Sequence, residues 1–439
     1  MEQLFAVMLG IAVGTVTGVI PGIGVVVAMI ICTPLLLPMD VLELLLFYMS
    51  VASMVQFTGT VPSVYLGIPG ETNSLPAVIE GTKHTKKGIA QLGIGVSALG
   101  SVVGSMVAVI LTWVFLHYLS SHLVFFFNNT VKFFIYCTVI MFCLFVYNKK
   151  NIAINLCLCA LGILLSFPGE SDLYPGFRFT FGIDDLKYGI PLMPLLIGFI
   201  VVPNLFKIKS IKDHKISKQM RIGFNVVIKS FSTKLSSALR GSIVGYFCGL
   251  VPGVTTVLST NASYSLEKKI NKNNSTKQLI ASETANNSGQ FASMLPLLLI
   301  GIPITGSEVI LYSMLIDAGW SPFQFSNLTS NIDLIFKQIV PWFVLVNIIG
   351  VVIAWPLSKI ILKVLTVDKS FIVIVIGLIV IILNLYIGMI DYRPLAYTLY
   401  LIIFSCCGIL LRQYETVPLI FMFILGNEIE GVFFRQFLL

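Results

Sequence analysis

One punctuation pattern occurs twice along this 439-residue chain. Gly10, Gly14 and Gly18, followed by Pro21-Gly22, return as Gly241, Gly245 and Gly249 followed by Pro252-Gly253. Gln56-Phe57, with Pro62 and Gly67-Ile68-Pro69 behind them, return as Gln290-Phe291, Pro296 and Gly301-Ile302-Pro303. The first pair is separated by 231 positions and the second by 234, so one long unit has been duplicated with its internal spacing nearly intact. Two halves of one fold are predicted: residues 1–206, a basic linker at 207–237, and residues 238–439.

Composition says what surrounds those halves. With 56% hydrophobic and 11% charged residues, the chain carries more apolar surface than a soluble core can hide. An all-α integral membrane protein is predicted. Apolar stretches at 4–36, 44–69, 89–117, 122–147, 151–167, 187–206, 238–266, 283–316, 338–362, 371–391, 394–411 and 416–434 make about twelve segments, six to each half. The net charge of +8 lies in the gaps between these runs, which reads as orientation signals and argues against nucleic acid as a partner. The eight cysteines sit inside apolar runs without CxxC spacing, as packing residues. No basic n-region precedes the first run, so it is expected to stay in the mature chain.

The gaps differ in charge. Lys83, Lys86 and Lys87, then Lys149 and Lys150, then the stretch 207–240, then Lys268, Lys269, Lys272 and Lys277 mark cytoplasmic gaps. The gaps 37–43 and 317–333 hold acidic residues only and read as external, as does 168–187. In the first half the basic gap follows Gly-Ile-Pro, whereas in the second it precedes Gln-Phe, so the halves are expected to be oppositely oriented. Residues 238–266 have basic gaps on both sides, which suits a re-entrant hairpin turning at Pro252-Gly253. Symmetry then makes 1–38 a hairpin turning at Pro21-Gly22. A kinked spanning helix is the competing reading of each.

Chain breaks at mid-depth free N–H and C=O groups that lipid cannot satisfy, so Pro21, Gly22, Pro69, Pro252, Gly253 and Pro303 are expected to border a wet cavity. Polar clusters adjoin the breaks: Gly70-Glu71-Thr72-Asn73-Ser74 and Ser282-Glu283-Thr284-Ala285-Asn286-Asn287-Ser288. Gly70, Thr72, Asn73, Ser74, Glu283, Asn286, Asn287 and Ser288 are the expected ligands of a cargo or ion, with sodium placed at Asn73 and Asn287. For any one of them an ordinary N-cap or packing role is the competing reading. A carboxylate at Glu71, Glu283 or Glu308, if deep, needs a partner or a proton. The chain has no GxSxG, HExxH or P-loop, so it is not expected to be an enzyme and needs no catalytic residue or cofactor. Transport would then draw on an ion gradient of sodium or protons. A channel on the same inverted-repeat fold is the alternative.

These motifs resemble the TctA family, the large membrane subunit of tripartite tricarboxylate transporters. The matching residues are Pro21-Gly22-Ile23-Gly24, Ile68-Pro69-Gly70, Glu80-Gly81 with Lys86-Lys87-Gly88, and Pro252-Gly253. Tyr264 with Glu267-Lys268, then Glu283-Thr284-Ala285-Asn286-Asn287, continue the match. The resemblance implies an importer of a di- or tricarboxylate in a bacterial or archaeal inner membrane. It also implies a small TctB-like membrane subunit and an extracytoplasmic TctC-like binding protein as partners. Two departures are Ile304 in place of the glycine that ends Gly-Ile-Pro-Gly, and Ser321-Pro322-Phe323 in place of Pro-Gly-Pro. Loss of the glycine is expected to alter the second break by removing access to positive φ.

Overall fold

The computed structural model describes residues 2–20, 22–119, 129–145, 147–148, 151–171, 174–207, 219–251, 256–320, 328–364 and 368–437, and these are almost wholly helical. The first half runs Glu2–Val19, Gly24–Leu36, Val41–Leu66, Leu75–Lys86 and Ala90–Leu119; the second runs Leu235–Gly249, Thr256–Ile270, Ser275–Ile300, Gly306–Asp317 and Leu328–Ala354. Both central helices have 26 residues and both helices after the breaks have 12, so the likeness of the halves extends beyond the motifs. The central helices also stop alike. Gly67 and Gly301 each take φ of 68°, and the backbone N–H of each cap and of Ile68 and Ile302 donates to Pro62 and Pro296.

The spaced glycines decide how each half packs. A Cβ on Gly10 would lie 2.6 Å from that of Ser50, one on Gly14 2.7 Å from that of Met54, and one on Gly18 2.7 Å from the Val55 Cα. The numbers climb together, so Glu2–Val19 lies parallel to Val41–Leu66 in near backbone contact. Gly241, Gly245 and Gly249 climb likewise past Ala281, Ala285 and Gly289 of Ser275–Ile300. A chain that runs parallel to the helix it leads into must double back between them. Gly24–Leu36 does so after a tip where Gly22 and Gly24 take φ of 88° and 57°. In the second half Ser237 bonds Glu267 and Ser259 bonds the Gly245 carbonyl, contacts symmetric about residue 252. Both segments are therefore helical hairpins, not kinked rods; Pro21, Pro252 and Gly253 themselves lie outside the described residues.

The two central helices meet antiparallel. Thr60 bonds Glu283, Gln56 and Asn287 line one crevice, and Tyr48 bonds Gln290. Around this crossing the halves are interleaved: Ala90–Leu119 packs on Ser275–Ile300, and Leu328–Ala354 packs on Val41–Leu66.

Six described helices are long and apolar enough to cross a membrane: Glu2–Val19, Val41–Leu66, Ala90–Tyr118, Phe336–Ala354, Ser370–Ile390 and Val417–Phe434. Shorter apolar helices fill 24–36, 130–145, 152–166, 192–206 and 394–410. Residues 238–266 form the expected second hairpin. One expected apolar segment differs: 283–316 begins inside a helix that Asn274 caps nine residues earlier and ends beyond the break at Gly301. The Ser282–Ser288 run is thus mid-helix rather than ahead of a helix, with its polar side chains no more than 3% exposed. Four neighbouring helices wall it off from lipid, which is how a helix this polar is accommodated. The lipid-facing surface is built elsewhere, as by Phe371, Ile374, Leu378 and Ile382 at helical spacing.

The expected linker contains a helix, Phe224–Ser232, whose Phe224 stacks on Trp355 and whose Val227 fills the space beside Gly95. In the gap at 168–187 both basic residues are paired, Arg178 with Glu430 and Lys187 with Asp184. Because the glycine stripes admit no side chain, Gly14→Leu and Gly245→Leu should each sharply lower the yield of monodisperse protein from membranes. Equal yields by size-exclusion chromatography would contradict the packing described.

Candidate functional site

Each break is held by a different device. After Gly67 the chain crosses to a short turn at Thr72–Ser74, and Gly70 is pressed against the helix it has just left. A Cβ there would lie 2.7 Å from the Gly59 Cα and 3.0 Å from the Gly18 carbonyl. After Gly301 the chain enters Gly306–Asp317 through a capping box in which Thr305 and Glu308 serve one another. Glu308 is fully buried; it accepts the Ile304 and Thr305 N–H groups at 2.8 and 3.0 Å and the Ser293 hydroxyl. Neither Gly70 nor Ile304 has positive φ, so the expected consequence of losing that glycine is corrected: Gly70 supplies room, and the second break leaves enough room for Ile304.

A cavity of about 680 Å³ opens where the hairpin tips meet the breaks. Its lining is paired. Val25 and Val26 of the first tip face it with Thr256 and Val257 of the second, 231 positions on. Glu71 and Asn73 of the first break face it with Thr305 and Ser307 of the second, 234 positions on. Three helices of 12 to 15 residues, starting at Gly24, Thr256 and Gly306, begin at this cavity and turn the positive ends of their dipoles toward it. Among the described residues no lysine or arginine lines it.

Asn73 ties the two halves together at this point. Its amide Nδ2 lies 2.8 Å from Asn286 Oδ1, 3.1 Å from Thr256 Oγ1 and 3.3 Å from Glu71 Oε2. Two amide hydrogens cannot serve three acceptors at once, and the Asn73 Oδ1 atom, buried, has no partner. Glu71 Oε1 accepts the Val25 N–H at 3.3 Å, at the start of the Gly24–Leu36 helix. Across the cavity, Gln290 donates to Tyr48, which shares a bond with Ser307, which shares one with Thr305.

The other expected ligands fall behind this lining. Asn286 is reached only through Asn73, and Glu283 accepts from Thr60 at 2.9 Å in the crossing. Asn287 donates to the Glu283 carbonyl and faces the crevice by Gln56, so it and Asn73 share no partner around a single sodium ion. Ser288 donates to the Ser242 carbonyl at 2.7 Å and fastens the hairpin. Ser74 is buried, Thr72 sits in the turn, Gly70 and Gly22 border an adjoining space of about 270 Å³, and Pro69 and Pro303 lie within the breaks. Sequence reasoning missed Val25, Thr256, Thr305 and Ser307. Carrying Glu71 and Asn73 by the second offset into the second half would have found Thr305 and Ser307.

Interleaved helical halves around an internal cavity, with helices long and apolar enough to cross a membrane, define a polytopic membrane protein. The chain belongs to the tripartite tricarboxylate transporter TctA family, whose model matches residues 4–423. It is 25% identical over 366 residues to an uncharacterized 52.8 kDa protein in the TAR-I ttuC′ 3′ region of Agrobacterium vitis, covering 82% of this chain and 72% of that one. It is 26% identical over 311 residues to an uncharacterized protein of Methanocaldococcus jannaschii, covering 70% and 71%. No solved structure matches it.

Asn73 and Ser288 should separate under mutation. Asn73→Ala should cut transport about tenfold or more with membrane abundance unchanged. Ser288→Ala should keep transport and cost about 1 kcal/mol in thermal unfolding, the worth of one buried hydrogen bond.

Proposed function

We propose that the protein is the cargo-translocating subunit of a tripartite importer, carrying a small organic anion of di- or tricarboxylate type across the cytoplasmic membrane of a bacterium or archaeon. An ion gradient drives it, and a TctB-like membrane subunit and a TctC-like extracytoplasmic binding protein work with it. Membership of the TctA family supports the partners and the carboxylate class.

The observation that carries this reading is the pairing of the cavity's lining by the repeat offsets. The pairing fits a site on a pseudo-two-fold axis lying in the membrane plane, with the halves as inverted-topology repeats. Equivalent helices meeting antiparallel at Thr60 and Glu283 support the same arrangement. Two hairpins that stop at the cavity act as opposed plugs: three of their arms, of 13 to 15 residues, reach about 20–22 Å at roughly 1.5 Å each, short of a ~30 Å hydrocarbon core, and the Glu2–Val19 arm is the longer one. Rocking one half against the other around a fixed site then alternates access without moving the site itself. Helix N-termini that stop a cargo carboxylate also give the site its preference for anions.

Proteoliposomes holding this chain and its small subunit, with binding protein outside, test the reading. Labelled citrate or succinate should accumulate above its external concentration when a sodium or proton gradient is imposed, and the accumulation should collapse with an ionophore. Equilibration without accumulation would instead mark a channel, and no movement of any di- or tricarboxylate would end the proposal.

A further inference from the structure

The cavity holds one feature that its symmetry does not explain. Of the four paired positions, Glu71 alone carries a charge, opposite the neutral Thr305. A built-in carboxylate sits on one of the helix N-termini that an anionic cargo would use.

Its surroundings do little to hold that charge. Both hydrogen bonds to Glu71 are long, 3.3 Å from the Val25 N–H and 3.3 Å from Asn73 Nδ2, and the second is shared among three acceptors. Other buried carboxylates are better served. Glu80 has Lys83 and Tyr264, Glu267 has Arg240 and Ser237, and Glu308 has two N–H groups and a hydroxyl. Glu283 has only Thr60, but it does not reach the cavity. Among the described residues, the other ionisable groups facing the same space are Glu415 and Tyr147, with Arg412 and Tyr414 bordering the adjoining space. A vacant acceptor stands beside Glu71 as well: Asn73 is 4% exposed, lines the cavity, and leaves its Oδ1 unpartnered.

We infer that Glu71 is the coupling carboxylate: it must be neutralised by a monovalent cation, sodium or a proton, before a carboxylate cargo can occupy the cavity, with Asn73 Oδ1 as the second ligand of that cation. The inference rests on the transport reading and names its coupling device. With Glu71 ionised, a cargo anion at the Thr256 end meets a like charge across the same cavity. Once a cation is bound, the repulsion is gone and cation and cargo occupy the cavity together, which is the condition for carrying both. Glu71 stays at its helix terminus throughout; only its net charge changes.

Equilibrium binding to the purified full chain tests this without relying on transport. Labelled citrate and succinate serve as probes, in a sodium titration at fixed alkaline pH and a proton titration in sodium-free buffer. The arm that responds identifies the cation. Wild-type protein should bind a probe about tenfold tighter when the cation is saturating, the size expected for unit charges roughly 10 Å apart at an effective dielectric near 20. Glu71→Gln should bind the probe with no cation dependence. Glu71→Asp, which keeps the charge but withdraws it, should move the cation midpoint several-fold and decides the matter if the glutamine variant fails to fold. Cation dependence that survives in folded Glu71→Gln, or disappears instead in Glu415→Gln, overturns the inference and leaves the transport reading standing. So does a folded Glu71→Gln that binds no probe, or an unmoved midpoint in Glu71→Asp. Wild-type protein that binds neither probe under any condition overturns both.

Discussion

Backbone that leaves its helix inside a membrane has no water to bond, and this constraint organises the whole protein. At each break the freed groups are met by protein: Gly67, Ile68, Gly301 and Ile302 return their N–H groups to Pro62 and Pro296, and Ile304 and Thr305 give theirs to Glu308. Satisfying these groups requires other chain segments to come close. The glycine stripes let them: with nothing larger than hydrogen at Gly10, Gly14 and Gly18, or at Gly241, Gly245 and Gly249, a hairpin lies against the central helix at backbone distance. Hairpin, break and central helix are one structural unit, and each half contains one.

Joining two such units explains why the polar residues cluster at the centre. Each central helix must bury the side that faces its counterpart, and the second does so with Glu283, Asn286 and Asn287. An apolar surface would pack more cheaply, but in lipid the hydrophobic effect does not drive helices together, so hydrogen bonds such as Thr60 to Glu283 and Asn73 to Asn286 contribute to holding the halves in register. The interleaving of Ala90–Leu119 and Leu328–Ala354 across the halves adds packing to the same end.

Much of this was legible in the residues. Glycine spacing identified the stripes, Gly22 marked the first hairpin tip, and Gly67 and Gly301 marked the helix ends, because each depends on backbone geometry or room that few residue types permit. The roles of individual polar residues were less legible. Ser288 and Asn73 look equivalent as sequence, yet one fastens a hairpin and the other faces the cavity, a difference set by which side of a helix each occupies relative to distant chain. Ser282–Ser288 resembled a helix start because polar residues favour N-caps. Asn274 supplied the true cap, and burial among four helices overrode the local preference. Gly70 was read as a ligand, and the packing role that its lack of a side chain gives it was not visible in the sequence.

The halves depart from perfect symmetry at the cavity. Two identical halves would line it with the same residues from either side. Here the offset that carries Asn73 onto Ser307 also carries Glu71 onto Thr305, and Gly70 onto Ile304. The second break therefore spends its carboxylate, Glu308, on its own backbone, shut out of the cavity by a complete set of donors. The first break leaves its carboxylate facing the cavity with an incomplete set. A duplicated scaffold thus lines one cavity with positions paired by the repeat, and of those pairs the first break alone contributes a carboxylate.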